Sequence, residues 1–119
     1  MTGAAQPPEV LRKRAEFLAA ARARRQATAG FLLQALDRGD GAGLRVGYTC
    51  SKKIGNAVVR NRAKRRLREV ARAVLPAEGR AGWDYVLVGK PQATVTRDFA
   101  DLLADLRRAL AQIHRGGPT

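Results

Sequence analysis

Hydrophobic and polar positions along this chain repeat with two different periods. In "LRVGYTCS" (44–51) they alternate. Val46, Tyr48 and Cys50 fall on one side, and Gly47, Thr49, Ser51 and then Lys53 on the other. Period two predicts a strand with one buried face. "FLLQALDR" (31–38) and "WDYVLVGK" (83–90) also read as strands, and "GDGAG" supplies turn residues for a hairpin joining the first to 44–51. Elsewhere the period lengthens. Phe99, Leu102, Leu103, Leu106, Leu110 and Ile113 share one helical face, predicting an amphipathic helix over 97–114. Thr96 is its expected cap, Asp98 suits its first turn, and Gly116–Gly117 its end. Glu9 to about Arg25 reads as another helix, with Leu11, Phe17 and Leu18 as its large apolar groups.

The most informative periodicity lies in "SKKIGNAVVRNRAKRRLREVAR" (51–72). Val59, Ala63, Leu67, Val70 and Val74 form a stripe roughly 80° wide on a helical wheel. Arg60, Asn61, Lys64, Arg65, Arg68 and Arg72 share an adjacent arc of roughly 140°, and Arg62 and Arg66 flank the stripe from the other side. This predicts a helix from about Ala57 to Leu75, stopped by Pro76 and docked by one edge. Gly55–Asn56, both tolerant of positive φ, supply the turn before it. A charge run is often a solvated helix face, but such faces mix signs. Here Arg60, Lys64, Arg68 and Arg72 repeat one sign at four-residue spacing, which opposes helix formation. Only Glu69 answers them, with Arg65, Arg66 or Arg72 as its intrahelical partner. A polyanionic ligand outside the protein is the better explanation.

Charge sharpens this. The 119 residues carry a net +13, of which residues 12–25 hold +5 and 52–72 hold +8. A pI near 11.5 with clustered Lys and Arg marks a polyanion binder, with nucleic acid ahead of an anionic membrane. No apolar run approaches the ~20 residues of a spanning helix, and the basic helix lacks interfacial Trp or Phe. No secretory signal is visible and Cys50 is alone, so the expected setting is the cytoplasm, without a disulfide framework or Cys-based metal site. We expect a tail at 1–8, a single RNA-binding domain at 9–115 and a flexible end at 116–119.

A protein nuclease needs converging carboxylates or a histidine base. His114, the sole histidine, falls at the fraying end of the last helix and reads as a surface residue. Most of the ten acidic residues belong to helix surfaces and turns. No catalytic residue and no protein metal site are assigned.

"SKKIGNAVVRNRAKRRLRE" resembles the signature segment of the bacterial ribonuclease P protein component family. The resemblance rests on Arg60–Asn61–Arg62, Lys64–Arg65 and Arg68, preceded by Lys52–Lys53–Ile54–Gly55–Asn56. "LRVG" (44–47), "GKP" (89–91) and the order of elements extend it over about residues 11 to 114. It implies an α+β two-layer sandwich of the kind seen in the second domain of ribosomal protein S5. That fold has about four mostly antiparallel strands, three helices and a left-handed βαβ crossover. The fourth strand would come from near Ala27–Ala29. The resemblance also implies a protein that assists a catalytic RNA in removing the 5′ leader of precursor tRNA. Mg²⁺ held mainly by RNA would do the chemistry, and there would be no small-molecule substrate. A ribosomal or other structured-RNA-binding protein, and a DNA-binding basic helix, are the alternatives. The latter lacks zipper heptads or a helix-turn-helix partner.

On this reading Lys52, Lys53, Arg60, Asn61, Arg62, Lys64, Arg65 and Arg68 dock on the RNA subunit. Arginine suits phosphate because its guanidinium donates two parallel hydrogen bonds. Asn61 reads either as a contact to a ribose hydroxyl or base edge, or as a plain surface residue. Phe17, Leu32, Gln34, Thr49, Ser51 and Lys53 are the expected lining of a leader groove. The family typically places aromatics where this chain has Ala21 and Gln34, so the groove should lean on charge and hydrogen bonding. Phe17 could instead simply pack between helix and sheet. Cys50 reads as a small buried hydrophobe.

Overall fold

The computed structural model describes residues 8–115. Five strands form one sheet: β1 (Glu9–Val10), β2 (Arg24–Ala27), β3 (Phe31–Asp37), β4 (Arg45–Thr49) and β5 (Trp83–Gly89), in the order β1-β4-β5-β3-β2. The helices are α1 (Arg14–Ala21), α2 (Ala57–Glu78), the short α3 (Ala93–Thr96) and α4 (Phe99–Arg115). A 3₁₀ turn, Lys52–Ile54, joins β4 to α2.

The sequence order of strands is not their spatial order, and β5 is the reason. Trp83 to Leu87 are all buried, which no edge strand permits, so β5 takes the middle. It pairs antiparallel with β3 and parallel with β4. The expected β3–β4 hairpin is therefore absent. The loop with Gly39 and Gly41, both at positive φ, spans the width of β5 instead. The sheet is mixed, with antiparallel β2–β3 and β3–β5 pairs and parallel β4–β5 and β1–β4 pairs. The β4–α2–β5 connection joins two parallel neighbours and so forms a βαβ crossover.

The predicted helix 9–25 shrinks to α1. Its first residues pair with Arg45 and Val46, and Arg24–Ala27 pair with Leu32–Ala35. Backbone pairing to a waiting sheet edge outweighs helix propensity there. Two further boundaries move. α2 runs past Pro76 to Glu78, because a proline in the last turn forfeits one hydrogen bond while Gly79 N–H still closes onto Leu75 O at 2.8 Å. Thr96 ends α3 rather than capping α4, its hydroxyl donating to Gln92 O. Of the expected tail at 1–8 all but Pro8, and the whole expected end at 116–119, lie outside the described residues.

One sheet face carries the main core. Phe31, Leu33 and Ala35 of β3, Trp83, Tyr85 and Leu87 of β5 and Val46 of β4 meet Leu67, Val70, Val74 and Leu75 of α2 and Leu102, Leu106 and Leu110 of α4. Full burial of each large side chain contributes about 1.5–3 kcal/mol. Tyr48 and Cys50 pack at its border, as the alternation predicts. The opposite face is covered by α1, where Leu11, Phe17 and Ala20 meet Leu36, Val86 and Val88. Gly47 makes this possible. A Cβ there would sit 2.5 Å from the Phe17 ring.

Candidate nucleic-acid interface

The apolar stripe of α2 is buried as expected, from Ala63 through Leu67, Val70 and Val74. Asn61, Arg62, Arg65, Arg68 and Arg72 are exposed, and Arg60 and Lys64 half-buried. Among the described residues, none of these six cations makes an ion pair. Glu69 makes none either, so the expected intrahelical pairing is not formed. Arg66 is different. Its guanidinium donates to Arg97 O and ties α2 to the α3–α4 linker.

The approach to α2 is tightly specified. Ser51 Oγ accepts from Lys53 N–H at 3.3 Å, and Ile54 is buried, anchoring the 3₁₀ turn that carries exposed Lys52 and Lys53. Gly55 takes φ 145°, with Val59 packed against it. Asn56 does not take positive φ; at φ −72° it is the N-cap, accepting from Val59 N–H at 3.0 Å. Val58, 69% exposed, stands in the first turn among these polar groups.

Tyr48 reaches from the border of the core toward α2, with the Arg68 guanidinium 5.6 Å from its ring centroid. Burial pushes the Tyr48 hydroxyl pKa up. Burial likewise raises the Cys50 thiol, against the opposing field of nearby Lys64 and Arg60. Cys50 is only half-buried.

The residues expected to line a groove divide into two groups. Leu32 and Thr49 both align with Val88, and Gln34 and Gly47 with Val86, so they share the sheet face on which Phe17 lies. Ser51 and Lys53 do not extend that face, because β4 ends at Thr49 and the chain turns. Phe17 is half-buried; it touches the sheet over Gly47 and also borders an open cleft of about 400 Å³. Arg12, Arg14, Tyr48, Thr49, Cys50 and Lys64 complete that lining. Arg12 and Arg14 were not singled out from sequence. The net +5 of residues 12–25 was the available signal.

Two carboxylates and the histidine behave differently from the surface residues expected. Asp84 (1% exposed) is held by Arg38 at 2.5 Å and Arg45 at 2.7 Å, and Asp105 (0%) by Arg97 at 2.7 Å. Arg45 also reaches Glu16, whose carboxyl is held below its ordinary range by the Lys13 and Arg12 backbone N–H groups. His114 lies edge-on to Trp83, with Nε2 2.8 Å from the Tyr85 hydroxyl. Burial, then Arg80 and Arg24, lower its pKa to about 4. Helix α4 packs its last turn onto β5, so its end does not fray there. Among the described residues no three His, Cys, Asp or Glu converge as metal ligands, and no helix is long and apolar enough to cross a membrane.

Comparison with known proteins agrees with this architecture. The family model described as Ribonuclease P matches residues 6–114. The ribonuclease P protein component of Ruegeria pomeroyi is 62% identical over 111 residues, covering 92% of this chain and 89% of its own. That of Erythrobacter litoralis is 49% identical over 109 residues, covering 92% and 88%. Among solved structures, the ribonuclease P protein of Thermotoga maritima superimposes with a TM-score of 0.74 at 24% identity, over 89% of this chain and 98% of the other. That of Staphylococcus aureus gives 0.71 at 24%, over 88% and 94%. With the sheet order, the unpaired cationic face of α2 and the 62% identical relative all in agreement, this chain belongs to the ribonuclease P protein component family.

Proposed function

We propose that this protein binds the catalytic RNA of a bacterial ribonuclease P through α2 and its lead-in turn. It holds the 5′ leader of precursor tRNA on the sheet face beside α1, so that the leader is cut off by the assembled ribonucleoprotein in the cytoplasm. The observation that carries this is the α2 face, where Arg60, Arg62, Lys64, Arg65, Arg68 and Arg72 answer to no described carboxylate. Such a face gains its counter-charge from phosphates and releases condensed ions on binding. Arg62, Arg65, Arg68 and Arg72 are the exposed arginines of this face, able to grip phosphate with two hydrogen bonds.

Mg²⁺ belongs, in this reading, to the RNA. The donor set of the protein does not suit it, since Asp84 and Asp105 are taken by arginines. The protein contributes positioning and charge neutralisation, which lower the Mg²⁺ the RNA needs.

The test is precursor-tRNA cleavage by cognate RNA at low Mg²⁺, with and without protein. Cleavage restored by protein, with none from protein alone, is the expected result. Cleavage by RNA-free protein, lost on a single carboxylate substitution, would overturn the reading.

A further inference from the structure

Helix α1 has little apolar surface with which to hold its place. Of its eight residues only Ala20 is buried, Phe17 is half-buried and Leu18 is 43% exposed. A short helix resting on two such contacts can roll or slide. The second anchor is Glu16. Its Oε1 accepts from the Arg12 and Lys13 N–H groups at 3.2 and 3.1 Å, and its Oε2 accepts from Arg45 Nη1 at 2.8 Å. Arg45 in turn closes on Asp84 with Nε at 2.8 Å and Nη2 at 2.7 Å. Two parallel bonds fix the plane of a guanidinium, so Nη1 is presented to α1 in one direction only. Asp84 belongs to the central strand β5 and is 1% exposed. Charge-assisted bonds therefore run unbroken from the middle of the sheet to the first turn of α1.

The geometry points to Glu16 as a positioning residue: through Arg45 and Asp84 it sets where α1 stands over β4, and so places the Phe17 ring. Side chains of neighbouring helix residues project about 100° apart, so pinning Glu16 decides where Phe17 turns. Arg45 and Gly47 lie two residues apart on one face of β4, and Phe17 packs over Gly47. This rests on the leader-binding reading above and supplies what holds the wall of that groove. Glu16 itself contacts no RNA in this scheme. Both of its oxygens are occupied, and Arg45 neutralises a carboxylate that would otherwise repel phosphate.

The experiment is a double-mutant cycle on the reconstituted ribonucleoprotein, measuring affinity for precursor tRNA and for mature tRNA. Glu16→Gln keeps an oxygen for the α1 backbone but loses the charge that holds Arg45. It is expected to weaken precursor binding about fivefold and to spare mature tRNA. Phe17→Ala should weaken precursor binding about tenfold. The double variant should bind no more weakly than Phe17→Ala, because Glu16 acts through that ring. Glu78→Gln, which breaks the exposed pair with Arg107, should change neither affinity. Unchanged precursor affinity in Glu16→Gln, multiplying effects in the double variant, or equal weakening of both RNAs overturns the positioning role and leaves the leader reading intact. A Phe17→Ala variant that binds both RNAs as the wild type does overturns both.

Discussion

Arg38 just after β3, Arg45 on β4 and Arg97 in the α3–α4 linker end on carboxylates, whereas the arginines of α2 meet no described carboxylate. Around Asp84, Arg38 also donates to Asp40, Trp83 O and Gly43 O, and Arg45 donates to Glu16. Every strong donor there has an internal acceptor, so the cluster has nothing left to offer a ligand. On α2 the same residue type stands without acidic partners, in a field that disfavours the isolated helix. The contrast teaches that count and spacing of arginines do not distinguish strut from binding surface. The location of the carboxylates does.

The largest effect should come from breaking the strut. Asp84→Ala leaves two guanidinium groups facing a buried vacancy, and should cost about 3–5 kcal/mol of stability in denaturant titration. A loss below ~1 kcal/mol would show that the cluster is only a surface ornament. Next, Arg65→Ala with Arg68→Ala should leave stability within ~0.5 kcal/mol while weakening RNA assembly between about tenfold and a hundredfold. The salt slope should fall by about 1.8 if the contacts are to duplex phosphates. Equal loss of stability in this variant would erase the contrast.

The smallest effect concerns His114. Its folded pKa lies near 4, below the ordinary 6.5, so the unfolded chain binds a proton first as pH falls. The stabilisation is complete above about pH 6.5 and lost progressively toward pH 4. Because the ring is partly solvated, the loss should be about 1 kcal/mol, below what the full shift would give. Comparing wild type with His114→Gln at pH 7 and pH 4.5 isolates it from the carboxylates. Identical pH slopes in the two proteins would refute the assignment.

What could be read from the chain follows the same division between local and distant. Helices α2 and α4 and the strands β3 and β4 show in periodicity because one face of each is buried, and β5 shows as a largely apolar run because both of its faces are. β1 and β2 do not show. Glu9–Val10 are held through backbone pairing to a strand 36 positions away and Arg24–Ala27 across a short turn, and their side chains stay largely polar or exposed. The unpaired face of α2 is legible because like charges recur at helical spacing. The partners of Arg38, Arg45 and Arg97 are not, since Asp84 lies 46 and 39 positions from the first two. Cleft residues Arg12 and Arg14 join the site only because α1 folds across Gly47.

The central place of β5 has a consequence for how the chain is made. β3 and β4 leave the ribosome early, yet in the finished sheet they do not pair with each other, because β5, the last strand to be synthesised, lies between them. Until Gly89 has emerged, the sheet has no middle, and the only ladders available are β2 with β3 and the short β1 with β4. During that interval α2 is already out, carrying its full positive charge, while the β5 and α4 parts of its core are still missing. Closing the sheet then requires contacts between residues far apart in sequence, which folds slowly. The nascent protein thus presents a cationic segment to a cell full of RNA before its hydrophobic core is complete.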